Sequence, residues 1–277
     1  MSVYLRPATL TEAITAMAGS ELRVLAGGTD LYPAAQGAAL GWSVMDIAGL
    51  SELRGISAKA GGLRIGACTT WSDVIRADLP PALAALQAAA RQVGGWQIQN
   101  AGTLGGNLCN ASPAADGVPP LLACAALVEV AGPQGLRRMD LAAFITGPRR
   151  TALGPGEVLV AVVIPAVGLA GRSVFLKLGA RAHLVISIAM VAVRIVVRDG
   201  IVSGASLAVG SASPVARRLP QVEAALIGVP VARVAAAIDA WMVAAALAPI
   251  DDIRATAAYR VQAAVTLLRR AVAEAVA

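Results

Sequence analysis

Two separate stretches of this chain combine glycines with short polar side chains, the residue types that contact phosphate and ribose groups. The first is Val24 to Leu31, VLAGGTDL, and the second is Asn100 to Asp116, NAGTLGGNLCNASPAAD. Glycine lets the main chain approach a ligand closely, and Thr, Asn and Ser add donors and acceptors beside exposed amides. No helical or strand period runs through the second stretch. We therefore expect two ligand-binding loops, although either stretch alone is about equally typical of a glycine turn without a ligand.

The first stretch follows a short apolar segment, Arg23 to Ala26, which we predict to be a strand. A strand that ends in a glycine turn can present several backbone N–H groups to a diphosphate without intervening side chains. The stretch is not a dinucleotide-binding fingerprint of the Rossmann type. It lacks GxGxxG, and no acidic residue follows on a second parallel strand at the required distance.

Composition excludes several classes of function. The chain has 277 residues, enough for two domains, and 57% of them are hydrophobic. No apolar run approaches the ~20 residues that span a bilayer, and the first residues, MSVYLRPATLTEA, do not resemble a signal peptide. The net charge of +6 is scattered, and only 3% of residues are aromatic, so a nucleic-acid surface is not indicated. These features predict a cytoplasmic protein.

Few side chains of the sequence are suited to catalysis or metal binding. His183 is the only histidine, which argues against histidine-based zinc sites and Ser-His triads. Cys68, Cys109 and Cys124 show no CxxC spacing and are too few for a four-thiolate cluster. We therefore predict no metal site and no catalytic residue in this chain. Any redox chemistry must come from a bound cofactor.

The pattern of elements predicts an α+β protein. A helix begins after Thr9, which forms a capping box with Glu12. A Gly/Ala-rich link at 166–171 predicts a boundary between residues 1–170, with lobes of about 1–55 and 56–170, and residues 171–277. Further predicted strands are Trp42 to Ile47, Gly62 to Thr70, Leu127 to Ala131, Leu136 to Met139, Val158 to Ile164, Ser173 to Leu178, Val191 to Arg198 and Ile201 to Val209. Further predicted helices are Thr70 to Leu79, Ala82 to Val93, Leu121 to Ala125, Val222 to Ile227, Val231 to Ala246 and Ala255 to Ala275, the last with Ile253 on its apolar face.

AGGTDL followed some seventy residues later by AGTLGGNLCNASPAAD resembles the FAD-binding, or medium, subunit of the molybdenum hydroxylases of the xanthine and carbon monoxide dehydrogenase type. The likeness continues through three further stretches, Phe144 to Pro165, Val174 to Ala189 and Pro249 to Ala271. It thus covers nearly the whole chain. The resemblance implies a two-lobed FAD-binding fold of the vanillyl-alcohol-oxidase (PCMH) type, followed by a C-terminal α+β domain with a three-stranded antiparallel sheet and helices.

The resemblance also implies which residues hold FAD. Its two loops correspond to Val24, Leu25, Ala26, Gly27, Gly28, Thr29, Asp30 and Leu31 and to Thr103, Leu104, Gly105, Gly106 and Asn107. Asp116 is implied near the cofactor, and capping of the next helix is the alternative. Leu159 is implied against the flavin ring, with an ordinary core role as its alternative. Lys177 is implied near the flavin, with a structural ion pair as its alternative.

Two positions depart from the family pattern. Pro148 stands where relatives usually have Tyr, and Val93 stands where some relatives place an aromatic residue against the flavin. Both changes remove aromatic contact with the ring. His183 replaces a small residue, and we expect it at the surface or an interface.

The function implied by the resemblance is that of an oxidoreductase subunit. Electrons from a substrate oxidised at a molybdopterin cofactor in a large subunit would pass through [2Fe–2S] clusters of a small subunit to FAD in this chain, and then to an external acceptor. A dimer of such heterotrimers is the expected assembly. Two other functions stay open at this stage, a stand-alone flavin oxidoreductase of the same fold and a scaffold subunit that has lost FAD.

Overall fold

Three main β-sheets, with helices between and around them, form the structure, a computed structural model that describes residues 2–19, 21–37 and 41–277. The strands are β1 (Tyr4–Leu5), β2 (Arg23–Leu25), β3 (Val44–Asp46), β4 (Ile56–Lys59), β5 (Gly62–Gly66), β6 (Leu127–Gly132), β7 (Gly135–Asp140), β8 (Ile145–Gly147), β9 (Arg150–Thr151), β10 (Val158–Pro165), β11 (Arg172–Leu178), β12 (Ala189–Arg198), β13 (Ile201–Gly210) and β14 (Arg217–Arg218). The helices are α1 (Leu10–Ala18), α2 (Leu31–Ala34), α3 (Trp71–Arg76), α4 (Ala84–Gln92), α5 (Trp96–Ala101), α6 (Leu104–Asn110), α7 (Val118–Ala123), α8 (Leu141–Phe144), α9 (Pro220–Leu226), α10 (Ala240–Ala246) and α11 (Ala257–Val276).

The first lobe is a small parallel sheet with the order β1-β3-β2. The predicted cap is present at α1, since the Thr9 hydroxyl accepts from the Glu12 N–H at 3.2 Å. The reciprocal bond of a capping box is not formed, because the Glu12 carboxylate accepts from the Ala8 N–H, at 2.7 Å, instead of from the Thr9 N–H. Ala13 of α1 is fully buried in the cluster that contains Met45 of the central strand. The capped helix therefore closes the apolar side of this sheet.

The second lobe is an antiparallel sheet with the order β4-β5-β10-β6-β7. Its central strand, β10, is β-branched almost throughout, as expected for a strand that is covered on both faces. On one face Val158 and Val160 join the cluster of the first lobe, and on the other Val162 and Ile164 pack with the helices α3, α4, α6 and α7. The two-lobed N-terminal architecture predicted from the resemblance is confirmed.

Small residues join the five-stranded sheet's helices to the C-terminal sheet. Ala85 and Ala89 of α4 and Ala123 of α7 are buried against Phe175 and Met190 of the C-terminal strands. Alanines allow a close approach between a helix and a sheet, so α4 and α7 form a layer that both sheets share. Burial of this layer stabilises both halves of the chain at once.

The C-terminal sheet has four strands in the order β11-β12-β13-β14, where the resemblance implied three. The additional strand pairs Arg217 and Arg218 with the end of β13. A two-residue strand is too short to show a period, which is why the sequence did not reveal it. The predicted hairpin is confirmed, and Asp199 and Gly200 both have positive φ angles, 51° and 73°, as a type I′ turn requires.

Two helical predictions in this part of the chain are wrong. In place of one helix over 231–246, the chain makes a single 3₁₀ turn, Val231–Arg233, and then α10. The break follows from Asp239, whose carboxylate accepts from the Met242 N–H at 2.8 Å and so starts a new helix. Ile253 lies before the last helix and is 99% exposed, because Thr256 caps α11 and fixes its start at Ala257.

The part of the chain that the structure describes was searched for membrane-spanning helices and for metal-binding groups, and neither is found there. No helix there combines the length and the apolar composition that crossing a membrane requires. Across residues 2–19, 21–37 and 41–277, no group of three His, Cys, Asp or Glu side chains is arranged to hold a metal ion.

Candidate functional site

A cleft of about 460 Å³ opens between the segment after β2 and the helices α5 and α6. All eight residues of the first glycine stretch, 24–31, line it, together with Thr103, Gly106, Asn107 and Leu159. Its volume lies within the range of sites for small organic cofactors. The structure therefore brings most of the residues predicted from the two stretches to one place, although they are far apart in the sequence.

Gly27 and Gly28 explain how the first stretch fits against the second. A Cβ on Gly27 would lie 2.0 Å from the carbonyl oxygen of Ala101, so only glycine allows the two backbones to touch. Gly28 has a φ of 69°, a conformation that a side chain resists, and a Cβ there would also meet the ring of Tyr32. The glycines thus form the contact between the two walls of the cleft.

The first stretch offers unused backbone donors. Within the described residues, the N–H groups of residues 27–31 have no hydrogen-bond acceptor, whereas the next N–H, that of Tyr32, donates to the Gly28 carbonyl at 3.0 Å. The Thr29 hydroxyl also makes no hydrogen bond within the described part of the chain and lines the cleft. An unpaired donor that faces a partly enclosed space costs free energy unless a ligand or water accepts from it. This wall is therefore suited to an anionic or strongly accepting ligand.

The second stretch differs from its prediction, because residues 104–110 form the helix α6 rather than a loop. Thr103 caps this helix, since its hydroxyl accepts from the Gly106 N–H at 3.0 Å. The N–H of Leu104 donates to Thr69 and that of Gly105 to Ala67, at 2.9 and 2.8 Å. The first-turn amides are thus used within the protein. The second wall offers side chains to a ligand, and its amides are not free.

The sequence signal for that helix was the cap. Thr103 followed by an apolar residue is a usual helix start, but Gly105 and Gly106 lower the helical propensity of the first turn. Gly105 is required by packing, since a Cβ would lie 2.6 Å from the Cβ of Ala67. Leu104 is fully buried. Leu104 and Gly105 therefore face the protein interior, and neither lines the cleft.

Asn107 carries an unpaired polar atom at the cleft. Its side-chain oxygen is buried and has no hydrogen-bond partner within the described residues, and the residue lines the cleft. Buried side-chain oxygens normally find a donor, so this atom indicates a missing partner. A ligand hydroxyl or amide that donates to Asn107 would supply one.

A polar bridge connects the two walls at the open end. The Asn110 amide donates to the Asp30 carboxylate at 2.8 Å, and the Arg149 guanidinium donates to the Asn110 side-chain oxygen. Arg149 also lies 3.9 Å from Asp30. Neither Asn110 nor Arg149 was predicted individually as a site residue. The Asn at the end of GGNLCN was the only signal available, since Arg149 lies on the distant β8–β9 turn.

One side of the cleft is apolar. Leu159 lies on β10 at a point where the pairing with β6 shifts register, and it is 3% exposed. Val93, Ile98, Leu153 and Trp71 line the cleft beside it. Such a surface suits a flat, weakly polar ring. The contribution of Trp71 was not predicted, because it reads in the sequence as an ordinary helix residue after the Thr70 cap.

Asp116 and Lys177 lie together, but outside the residues that line the cleft. Lys177 Nζ donates to the Asp116 carboxylate at 2.6 Å and to the Gln92 carbonyl at 3.3 Å. The Ser187 hydroxyl donates to the same carboxylate at 2.6 Å. Burial raises the pKa of Asp116, whereas the charge and hydrogen bond of Lys177 favour its ionised form. Asp116 does not cap α7, so the capping alternative is wrong.

The titratable groups of the cleft are occupied or inert. Two hydrogen bonds from Arg137, at 2.7 and 2.6 Å, lower the pKa of Glu157 below its usual range. Burial raises the pKa of the Cys68 thiol to about 11, so it stays protonated at neutral pH. Asp30 is held by the Asn110 and Arg149 bridge. Among the described residues that line the cleft, none of these three groups is a free general base.

Two positions that depart from the family pattern are at different distances from the cleft. Val93 lines it, so the absence of an aromatic ring changes the apolar side of the cleft directly. Pro148 is exposed in the β8–β9 turn and does not line it. His183 is exposed, as predicted.

Two family models match the chain. Residues 1–167 match the FAD binding domain in molybdopterin dehydrogenase. Residues 175–275 match the CO dehydrogenase flavoprotein C-terminal domain. The two matches together leave only short segments uncovered.

Whole-chain comparisons agree with the family models. The chain is 34% identical to the xanthine dehydrogenase FAD-binding subunit of Escherichia coli O157:H7 over 283 residues, covering 99% of this chain and 96% of the relative. It is 30% identical to the carbon monoxide dehydrogenase medium chain of Afipia carboxidovorans over 278 residues, covering 97% and 94%. Reconstituted CO dehydrogenase from Oligotropha carboxidovorans contains a chain that superposes with a TM-score of 0.92 at 28% identity, covering 100% of this chain and 98% of that one.

Proposed function

This chain belongs to the FAD-binding subunits of the molybdopterin dehydrogenases, also called molybdenum hydroxylases, and from that premise we propose how it serves a heteromeric oxidoreductase. It binds FAD and passes electrons from the [2Fe–2S] clusters of a partner subunit to an external acceptor. A further partner carries the molybdopterin cofactor at which substrate is oxidised. FAD supplies the conversion between one-electron and two-electron transfer, and the protein binds and orients it.

The observation that carries this proposal is the convergence of the two glycine stretches on one cleft. The unused N–H groups of residues 27–31 and the Thr29 hydroxyl match the oxygens of a diphosphate. Asn107, with its unpaired side-chain oxygen, matches a hydroxyl of the ribitol or ribose. The apolar side with Leu159 matches the flavin ring. Donors and apolar surface are thus available in one cleft for the parts of FAD.

We propose that Asp116 and Lys177 lie near the cofactor. The support is indirect: Lys177 Nζ donates to the Gln92 carbonyl, and the next residue, Val93, lines the cleft. The pair therefore braces the apolar side from behind. For Leu104 and Gly105 we propose a supporting role, because they anchor α6 so that Thr103, Gly106 and Asn107 face the cleft.

The domain arrangement and the assembly are also proposals. We place the boundary near Gly171, between residues 1–170 and 171–277, supported by the ends of the two family matches at 167 and 175. Relatives are named as FAD-binding subunits or medium chains of larger enzymes, which supports a heteromeric complex. We propose a dimer of heterotrimers, located in the cytoplasm.

The alternatives find less support. A stand-alone flavin oxidoreductase needs acid–base groups beside its ring, but Glu157 and Asp30 are engaged with arginines and Cys68 has a raised pKa. A scaffold that had lost FAD would have no reason to retain unused donors around a formed cleft. The first experiment is the visible spectrum of the purified protein, with the released cofactor identified by mass. FAD at about one per chain supports the proposal, and a chain that binds no flavin with or without its partners contradicts it.

Thr29→Glu tests the site assignment. A carboxylate at this position fills the cleft beside the unused N–H groups and repels a diphosphate, without removing any hydrogen bond found for the wild-type side chain within the described residues. We expect flavin content to fall about tenfold or more, while the complex still assembles. The control is Thr11→Glu, an exposed position on α1 that adds the same charge. Equal flavin content in the two variants would remove the diphosphate site from this cleft.

A further inference from the structure

Glu157 is a carboxylate that lines the cleft on its apolar side. It lies two residues before Leu159, and Leu153 lines the cleft from the turn that precedes it. Its side chain is 17% exposed. Two hydrogen bonds from Arg137 lower its pKa, so the side chain carries a negative charge at neutral pH. Among the described residues that line the cleft, the other carboxylate is Asp30, which lies at the open end.

Arg137 fixes this carboxylate by contacting both of its oxygens. Arg137 Nε donates to one oxygen of Glu157 at 2.7 Å, and Nη2 donates to the other at 2.6 Å. A planar guanidinium that engages both oxygens fixes the orientation of a carboxylate as well as its distance. The same Nη2 donates to the carbonyl of Ala152 at 2.9 Å, which connects the pair to the residue before Leu153.

The turn between Leu153 and Glu157 is closed by the same carboxylate. The Gly154 N–H donates to it at 2.6 Å, and the Glu157 N–H donates to the Gly154 carbonyl at 3.2 Å. The aliphatic part of Glu157 lies against the end of β6, where a Cβ on Gly132 would lie 2.7 Å from Glu157 Cγ. Because Leu153 and Leu159 stand on either side of this turn, the pair fixes the position of both.

A charge that is fixed beside a flavin ring changes its reduction potential. Reduction by two electrons and one proton adds one negative charge to the ring, so a nearby carboxylate opposes reduction and a nearby cation favours it. Glu157 lines the cleft, whereas Arg137 does not. The carboxylate therefore lies nearer than the guanidinium to a ring that packs against Leu159, and the guanidinium offsets only part of its charge.

We propose that Glu157 and Arg137 are positioning residues that hold the apolar side of the cleft in place and set the reduction potential of the FAD bound there. This inference rests on the proposed function, since it requires FAD in the cleft. The carboxylate lowers the potential, and the guanidinium limits the decrease. The pair thereby adjusts how readily FAD takes electrons from the partner subunit and gives them to an external acceptor.

Glu157→Gln and Arg137→Met, each in the chain loaded with FAD, test the proposal. The amide of Glu157→Gln keeps the shape of the side chain and an acceptor for the Gly154 N–H, but the negative charge is lost. We expect the equilibrium constant for flavin reduction by a two-electron reference dye to rise about tenfold, which corresponds to about 30 mV. Arg137→Met should give a smaller shift of opposite sign, because it leaves the carboxylate without compensation. The visible spectrum at about pH 8, where Glu is ionised, measures both.

Two further variants separate charge from shape. The double variant Glu157→Gln/Arg137→Met removes one charge of each sign, so its reduction potential should lie between those of the two single variants. Arg137→Lys keeps the positive charge and loses the planar contact with both oxygens. Its potential should stay close to the wild-type value, whereas that of Arg137→Met should not.

Glu129→Gln is the matched control. Glu129 also accepts from arginines of the same sheet, Arg64 and Arg138, but it does not line the cleft. The variant loses a buried carboxylate of the same kind, and the reduction potential of FAD should remain at the wild-type value. The control therefore separates a loss of stability from a loss of charge beside the ring.

The outcomes distinguish this inference from the proposed function. A wild-type chain that binds no FAD, with or without its partners, contradicts the proposed function itself. If the chain carries FAD but Glu157→Gln and Arg137→Met leave its potential unchanged or shift it in the same direction, the role assigned to the pair is wrong. A shift in Glu129→Gln as large as that in Glu157→Gln would also overturn it.

Discussion

Glu129 shows how a single buried carboxylate is kept ionised within the five-stranded sheet. It is 3% exposed, and it accepts from Arg64 on β5 at 2.7 Å and from Arg138 on β7 at 2.9 and 2.6 Å. Burial alone would raise its pKa, but the hydrogen bonds and charges of the two arginines lower it below the usual value. The carboxylate on β6 therefore connects its neighbour β7 with β5, which lies on the far side of β10.

This arrangement predicts a pH dependence of stability. Because the pKa of Glu129 is lower in the folded state, its contribution is complete above the ordinary pKa of a Glu in the unfolded chain. It is lost as the pH falls through the folded value. Glu129→Gln should lower the free energy of unfolding at neutral pH by about 1–3 kcal/mol and flatten its decline in acid. Urea unfolding at several pH values between about 7 and 3, an interval that contains the ordinary pKa of Glu, measures both the loss of free energy and its decline in acid.

Glu274→Gln is the control for that series. Glu274 is exposed on α11, and the variant should leave both the stability and its pH profile close to wild type. If Glu129→Gln and Glu274→Gln gave the same profile, the lowered pKa of Glu129 would have no part in acid unfolding.

At the scale of elements, the contact between the first stretch and the end of α5 decides the width of the cleft. Gly27→Ala places a methyl group 2.0 Å from the Ala101 carbonyl oxygen, so the two walls must separate. We expect a loss of about 1–3 kcal/mol in stability and a flavin affinity that is lower by about tenfold or more. Equilibrium dialysis with FAD and thermal unfolding measure the two effects. Gly41→Ala, where a Cβ meets nothing within 4 Å, should change neither.

The elements also show what sequence patterns can predict. The long β-branched run of β10 and the Asp199–Gly200 hairpin were predicted, because burial on both faces and a type I′ turn each have their own signal. The cap at Thr103 was visible, but the glycines after it concealed α6, since packing against Ala67 outweighs helical propensity. The two-residue strand β14 has no periodic signal at all.

The candidate site was predictable to a similar degree. The glycine stretches pointed to the cleft, because their residue types are specific and lie on contiguous segments. The Asp30–Asn110–Arg149 bridge and Trp71 depend on tertiary contacts between distant segments, which no local pattern records. For the same reason, the sequence did not show that Lys177 and Asp116 pair with each other.

At the scale of the whole molecule, the buried ion pair Asp116–Lys177 fastens the segment after α6 to the C-terminal sheet. The two side chains are 8% and 6% exposed and 2.6 Å apart. Removing one partner leaves a buried charge without compensation, so Asp116→Asn or Lys177→Met should each cost about 3–5 kcal/mol of unfolding free energy. The double variant should cost less than the sum of the two. Urea unfolding of the four proteins measures this coupling.

The flavin affinity of the same proteins separates the two roles of the pair. We expect the folded double variant to bind FAD less tightly than wild type, because Lys177 also supports the Gln92 carbonyl beside the cleft. If the FAD affinity were unchanged while the double-mutant cycle showed strong coupling in stability, the pair would have only a structural role, joining the two parts of the chain.

The unequal walls of the cleft have a consequence for the order of cofactor loading. The helix α6 has its first-turn amides satisfied by Thr69, Ala67 and Thr103 before any ligand arrives, whereas residues 27–31 keep theirs unused. The first-turn N–H groups of α6 are thus already paired within the protein, whereas those of residues 27–31 are left for a ligand to pair. We therefore expect the residence time of FAD to depend on the first glycine stretch more than on the second.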